Sequence, residues 1–172
     1  MVEPSAESGP SKQSAGLLLV SEGRLLVLER ASSVSNPNRW GLPGGQLRRG
    51  EEPFDGAIRE ATEEVGPLPP MVVVGTVRVE REGGPFDVFI CRASDVVRAE
   101  WAPRLCHEHL RHRWSKLRWC LNRRGRLHPV VRALLDDPRA LEMIDLARLR
   151  GQRRREPVTI DMHGRREVRR TL

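Results

Sequence analysis

The stretch that most constrains this chain runs from Gly45 to Pro67, GQLRRGEEPFDGAIREATEEVGP. Its middle reads as a helix with both ends marked. Glu52-Pro53 is an entrance, because proline has a preset φ and lacks only an N–H that the first turn leaves unpaired anyway. Gly66-Pro67 is an exit. Between them Phe54, Ala57, Ile58, Ala61 and Val65 recur at three- and four-residue steps, which makes an apolar stripe for a core.

The other face carries Glu60, Glu63 and Glu64, spaced so that their carboxylates converge on one patch. Like charges at this spacing each cost about 0.2–0.5 kcal/mol on an exposed helix, and more where water is partly excluded. A divalent cation reverses that sign. Hard oxygen ligands on a rigid element suit Mg²⁺, with Mn²⁺ as the alternative, and such ions keep waters and bridge to phosphates. Arg59 stands beside Glu60 and four residues before Glu63, placed to hold a carboxylate in one rotamer. The plain alternative is a solvated Glu-rich face.

Wider spacing decides between the two. A glycine, five residues, Glu, seven residues, Arg-Glu, an apolar residue, any residue, Glu-Glu, any residue and Gly is the order of Gly45, Glu51, Arg59-Glu60, Ala61, Glu63-Glu64 and Gly66. This stretch resembles the signature of the Nudix hydrolases, and only Pro67 departs, standing where that family prefers a bulky aliphatic. The approach Trp40-Gly41-Leu42-Pro43-Gly44-Gly45 is similar to the family too, and the resemblance covers roughly residues 15–135. It implies an α/β fold, an α/β/α sandwich around a mixed β-sheet, here with a basic C-terminal extension. It also implies Glu60, Glu63 and Glu64 as metal ligands, joined by the Gly44 backbone carbonyl. Glu108, six residues before Trp114, matches the family's remote acid, an additional ligand or base. Glu51 and Arg59 are orienting groups, and Gly45 and Arg39 are candidate substrate contacts. Gly44 and Gly45 also let backbone approach a ligand with no side chain in the way.

The rest of the 172 residues divides into a disordered leader over 1–14, a domain over 15–149 and an Arg-rich tail over 150–172. Gly16–Val20 and Leu25–Leu28 read as strands around a glycine turn, and Met71–Val79 with Phe86–Cys91 as a second hairpin. Trp40 is a core residue or a stacking surface. His107, His109 and His112 read as surface or rim histidines, without the paired cysteines or HExxH pattern of a zinc site. Leu127-His128-Pro129 opens a helix to about Leu135. Asp137-Pro138 opens another, with Leu141, Ile144, Ala147 and Arg148 down one side.

Lys and Arg number 30 against 23 acids, a formal +7. The segment 148–172 holds nine arginines against three acids, which accounts for +6 of it. Val158, Ile160 and Met162 alternate there as a short strand. A solvated tail, an RNA or polyphosphate contact and a homodimer arm are its three readings; without an aromatic it offers charge-driven, sequence-blind attraction. Cys91, Cys106 and Cys120 are odd in number and lack metal-ligand spacing, so they read as reduced thiols. The run AGLLLV over 15–20 is too short for a signal peptide or a membrane span. A cytoplasmic setting is expected.

The resemblance implies Mg²⁺-dependent hydrolysis of a phosphoanhydride in a nucleoside diphosphate derivative. Glu60 or Glu108 serves as base. Markers of the NADH, CoA, ADP-ribose and dinucleoside polyphosphate subclasses are absent, the last because the chain has no tyrosine. That leaves a nucleoside triphosphate, cleaved to monophosphate and pyrophosphate, as the leading substrate. Capped RNA, a dinucleoside polyphosphate, an NDP-sugar, or a non-catalytic nucleotide- or RNA-binding module are the alternatives.

Overall fold

The computed structural model describes residues 12–94 and 96–148, together with the backbone of 158–160 and 166–168. In chain order the strands are β1 (Ser14–Ser21), β2 (Arg24–Arg30), β3 (Trp40–Gly41), β4 (Gly44–Gln46), β5 (Met71–Val79), β6 (Phe86–Ala93), β7 (His109–Lys116), β8 (Val158–Ile160) and β9 (Arg166–Val168). The helices are α1 (Pro53–Val65), α2 (Val97–Glu100), α3 (Leu117–Asn122), α4 (Pro129–Asp136) and α5 (Pro138–Arg148), with a 3-10 turn at Arg124–Arg126.

Seven strands form one mixed sheet. β3, β2, β1, β6 and β5 lie in that order, β4 also pairs with β1 and β7 with β2. The β1–β6 pairing is parallel and the others are antiparallel. β1 explains its own sequence. All eight of its residues are buried, as a strand covered on both faces requires. Leu18 and Val20 join Val130, Leu134, Ala140 and Ile144 of α4 and α5 on one side. Leu17 and Leu19 join Phe54, Ala57, Ile58 and Ala61 of α1 on the other. Helices on both faces of a mixed sheet are the α/β/α sandwich expected.

The β1–β2 turn places Glu22 and Gly23 at φ 46° and 67°, two successive left-handed residues that match the twist of the strands they join. α1 begins at Pro53 and ends at Gly66, whose φ of 79° lets its N–H donate to the Thr62 carbonyl at 3.0 Å. α4 and α5 begin where their prolines predict, and the Asp137 carboxylate caps α5 by accepting from the Arg139 N–H at 2.9 Å. The buried side of α5 is Ala140, Ile144 and Ala147. Leu141 is partly buried, whereas Arg148 pairs outward with Asp145. The segment 117–119 turns out to be the start of a helix, α3, and Trp40 is a core residue packed edge-on against Trp119.

The leader up to residue 11 lies outside the described residues. So do the side chains of the Arg-rich tail and the RNA, polyphosphate or dimer contact expected of them. Within the tail, β8 pairs antiparallel with β9, so the expected strand at Val158 and Ile160 has a partner, while Met162 falls outside.

Candidate active site

The site is built where α1 passes the β4 backbone, and Arg59 organises it. Its Nε and Nη2 donate to the two oxygens of Glu51, both at 2.8 Å, Nη1 donates to Glu60 at 2.6 Å, and Nη2 also reaches the Gln46 carbonyl at 3.2 Å. Glu63 lies 3.5 Å from Nη1. One guanidinium therefore ties the loop before α1 to two successive turns of the helix, a use that needs the planar fork of arginine. Glu51 accepts as well from the Arg48 N–H at 2.8 Å. Arg59 first and that backbone bond second hold the Glu51 carboxyl down to about 2. Hydrogen bonds to Glu51 first and to Glu60 next raise the Arg59 pKa above its ordinary value.

Glu60 reaches back to β4. A Cβ added at Gly45 would sit 2.2 Å from its Oε2, so the absence of a side chain at Gly45 is what lets the carboxylate lie there. Gly44 is constrained by backbone instead: its φ is 149° and an added Cβ would stand 2.4 Å from the Ala15 carbonyl oxygen. The Gly44 N–H donates to Glu64 at 2.8 Å.

Glu64 is more deeply set than Glu63, with which it was expected to share one patch. It is 6% exposed, in line with the apolar stripe of α1. Its second oxygen lies 3.3 Å from Nε2 of His109. That contact is not a hydrogen bond, and both ring nitrogens of His109 lack a hydrogen-bond partner among the described residues. Rather than a surface histidine, His109 is a fully enclosed side chain against a site carboxylate. The cause is a β-bulge. Along β2–β7 the pairs Leu26↔Trp114 and Leu28↔His112 give way to Arg30↔His109, with the register shifting at Glu29/Arg30. The extra residue, Leu110, is left 60% exposed, and the α1-facing position moves from even to odd residues. His107 and His112 are exposed, as expected.

Glu108 stands just before β7, with its carbonyl accepting from the Ala31 N–H at 2.8 Å. Its neighbour Cys106 has its thiol pushed up by burial, opposed by a backbone hydrogen bond at Glu108 and reinforced by the charges of Glu64 and Glu108. Glu64 and Glu108 thus both stand near the Cys106 thiol. Arg39 is not gathered to the carboxylates. It donates to the carbonyls of Gly125 at 2.7 Å and Leu127 at 3.5 Å, tying the loop before β3 to the entrance of α4. Among the described residues no three acidic, histidine or cysteine side chains close on one point tightly enough to hold a metal ion; Glu60 and Glu63 are turned to Arg59.

A family model of the NUDIX domain matches residues 10–135. The chain belongs to the Nudix family. It is 38% identical over 69 residues to a MutT-like protein of Streptomyces ambofaciens, an overlap of 38% of this chain and 42% of that one. It is 27% identical over 122 residues to Nudix hydrolase 7 of Arabidopsis thaliana, covering 59% of this chain. It spans only 42% of the length of each of these relatives. Among solved structures, the MutT protein of Methanosarcina mazei superposes with a TM-score of 0.60 at 24% identity, over 82% of this chain and 97% of that one. A C. elegans Ap4A hydrolase superposes at 0.58 and 21%, over 78% and 98%. At these identities the structures bear on the fold alone. No helix among the described residues is long and apolar enough to cross a membrane.

Proposed function

We propose that this Nudix chain cleaves a nucleoside 5′-triphosphate to the monophosphate and pyrophosphate with the help of Mg²⁺ or Mn²⁺, in the cytoplasm. The observation that carries the reading is the Arg59 clamp: one guanidinium within 2.8 Å of both Glu51 and Glu60, on the helix whose Glu64 grips the Gly44 N–H. The residues fit a hard cation by donor chemistry, since every candidate ligand is an oxygen, and the bare Gly45 leaves Glu60 room beside the β4 backbone. Glu60, Glu63, Glu64 and Glu108, with the Gly44 carbonyl, are the groups that would hold it. Bound there, such an ion would offset phosphate charge and lower the pKa of an attacking water.

The chain's own residues do the rest. Glu60 or Glu108 accepts the proton of the water that attacks phosphorus. Arg59 fixes the Glu60 carboxylate for that role, and Glu51 fixes Arg59, so neither must be ordered when substrate arrives. Gly44 and Gly45 present bare backbone to the phosphates.

A panel of nucleoside triphosphates and diphosphate derivatives, assayed with Mg²⁺ for pyrophosphate and orthophosphate, tests this. Pyrophosphate release that disappears in Glu63→Gln is the expected result. Orthophosphate as the sole product overturns the triphosphate reading. Wild type as inert as Glu63→Gln across the panel would replace catalysis with nucleotide binding alone.

A further inference from the structure

The chemistry above makes no use of His109, yet its side chain is fully enclosed and carries two polar atoms. Neither ring nitrogen has a hydrogen-bond partner among the described residues. Nε2 lies 3.3 Å from one oxygen of Glu64, and the other oxygen accepts from the Gly44 N–H at 2.8 Å. An apolar side chain of similar size would fill the same space with no unmet hydrogen-bonding requirement. Packing alone therefore does not account for a histidine here.

Backbone contacts bring the ring to Glu64 without help from the ring itself. Ahead of β7 the Arg104 N–H donates to the Val65 carbonyl at 2.8 Å, and the Cys106 N–H donates to the Glu64 carbonyl at 2.9 Å. That segment is thus laced to the last turn of α1. The His109 N–H donates to the Cys106 carbonyl at 3.3 Å, and the bulge at the start of β7 turns the side chain inward. The two oxygens of Glu64 are flanked by groups from opposite sides, the β4 backbone and the β7 ring. Groups that flank a metal-binding carboxylate fix its rotamer, and their loss typically costs about 10–100-fold in metal affinity or activity.

We propose that His109 is a positioning residue: its ring and the Gly44 N–H together hold the Glu64 carboxylate in the orientation in which it takes Mg²⁺ or Mn²⁺. The Nε2–H is the group that faces the carboxylate, since a lone pair there would repel it. Arg59 does the corresponding work for Glu60 with a paired guanidinium. The inference rests on the metal-dependent hydrolase reading above and deepens it.

Mn²⁺ alone, titrated into the full chain and followed by electron paramagnetic resonance, reads the proposal without turnover. His109→Leu should weaken Mn²⁺ binding by about tenfold or more. Its metal-free thermal midpoint should not fall below that of wild type, because two unpartnered nitrogens leave the interior. His109→Gln keeps an N–H donor and should recover most of the lost affinity, whereas His112→Gln, at an exposed position, should match wild type. In a Glu64→Gln background His109→Leu should have no further effect, as expected of a residue that acts through that carboxylate. In assays on ATP the His109→Leu loss should appear as a raised Mn²⁺ requirement, with the nucleotide KM at saturating Mn²⁺ unchanged. Wild-type Mn²⁺ affinity in His109→Leu overturns the proposal, as does His109→Gln binding no better than His109→Leu, or an equal loss with and without Glu64. A His109→Leu protein that unfolds well below wild type overturns it too, by making the ring a structural element. Wild type that takes up Mn²⁺ but turns over no nucleotide would fail the hydrolysis reading alone, and the binding arm would still decide the role of His109.

Discussion

Two charge clusters meet at Gly44 and Gly45, and they are built on opposite terms. In the first, the Arg59 guanidinium is shared by Glu51, Glu60 and Glu63, with each carboxylate within 3.5 Å of it. In the second, Arg30, Arg39, Arg81 and Arg132 surround His128, and no acid among the described residues neutralises them. The paired cluster is internally satisfied, so it is rigid before any ligand arrives. The unpaired one stores repulsion that an anion relieves.

The largest expected effect breaks the first cluster chemically without unfolding it. Glu63 is more than half exposed, so Glu63→Gln should leave thermal unfolding within about 0.5 kcal/mol of wild type. Turnover should still fall on the order of 10²–10⁴-fold, as steady-state assays will show. Arg59→Ala should act through stability as well. It strands two partly buried carboxylates, at a cost of about 3 kcal/mol in denaturant titration, and Arg59→Lys should recover only part of that because it lacks the fork.

The two glycines separate the clusters' needs. Gly44→Ala forces a Cβ against the Ala15 carbonyl at a φ of 149°, with no flexible group to yield, and should destabilise by about 2 kcal/mol or more. Gly45→Ala meets only the movable end of Glu60. It should cost under about 1 kcal/mol while lowering kcat by about tenfold, because the carboxylate is displaced. A Gly45→Ala enzyme with unchanged kcat would argue that the observed position of Glu60 is not the working one.

The smallest effect concerns pH. His128 has a folded pKa of about 4 against an ordinary 6.5. The unfolded chain therefore takes up a proton first, and the stability due to the neutral ring is complete above 6.5 and lost as pH falls toward about 4. His128→Asn keeps a side chain able to cap α4 and should flatten the denaturation midpoint across that window. Glu51, held near 2, contributes below it: its share is present above 4.5 and lost as pH falls through about 2.

Much of this was legible from residue order alone. The limits of α1, both hairpins and the starts of α4 and α5 follow from proline and glycine positions and from apolar spacing, which are local properties. The family was legible in the spacing of Gly45, Glu51, Arg59-Glu60, Glu63-Glu64 and Gly66. The residues that depend on a neighbouring strand were not. His109 reads as a surface histidine until the bulge at Leu110 reverses the face it presents, and a register shift is a property of two strands rather than of one. Glu64 looks like its exposed neighbours until the Gly44 N–H and His109 are set beside it.

The sequence by itself determined the helix that bears the acids, the glycines that let backbone approach them and the family they mark, because each depends on conformational preference within a few residues. Only the tertiary structure decided which carboxylate is buried, which histidine faces it and where four distant arginines converge. Those outcomes require segments far apart in the chain, such as Arg30, Arg81 and His128, to be packed against one sheet, and burial and field strength exist only after that packing.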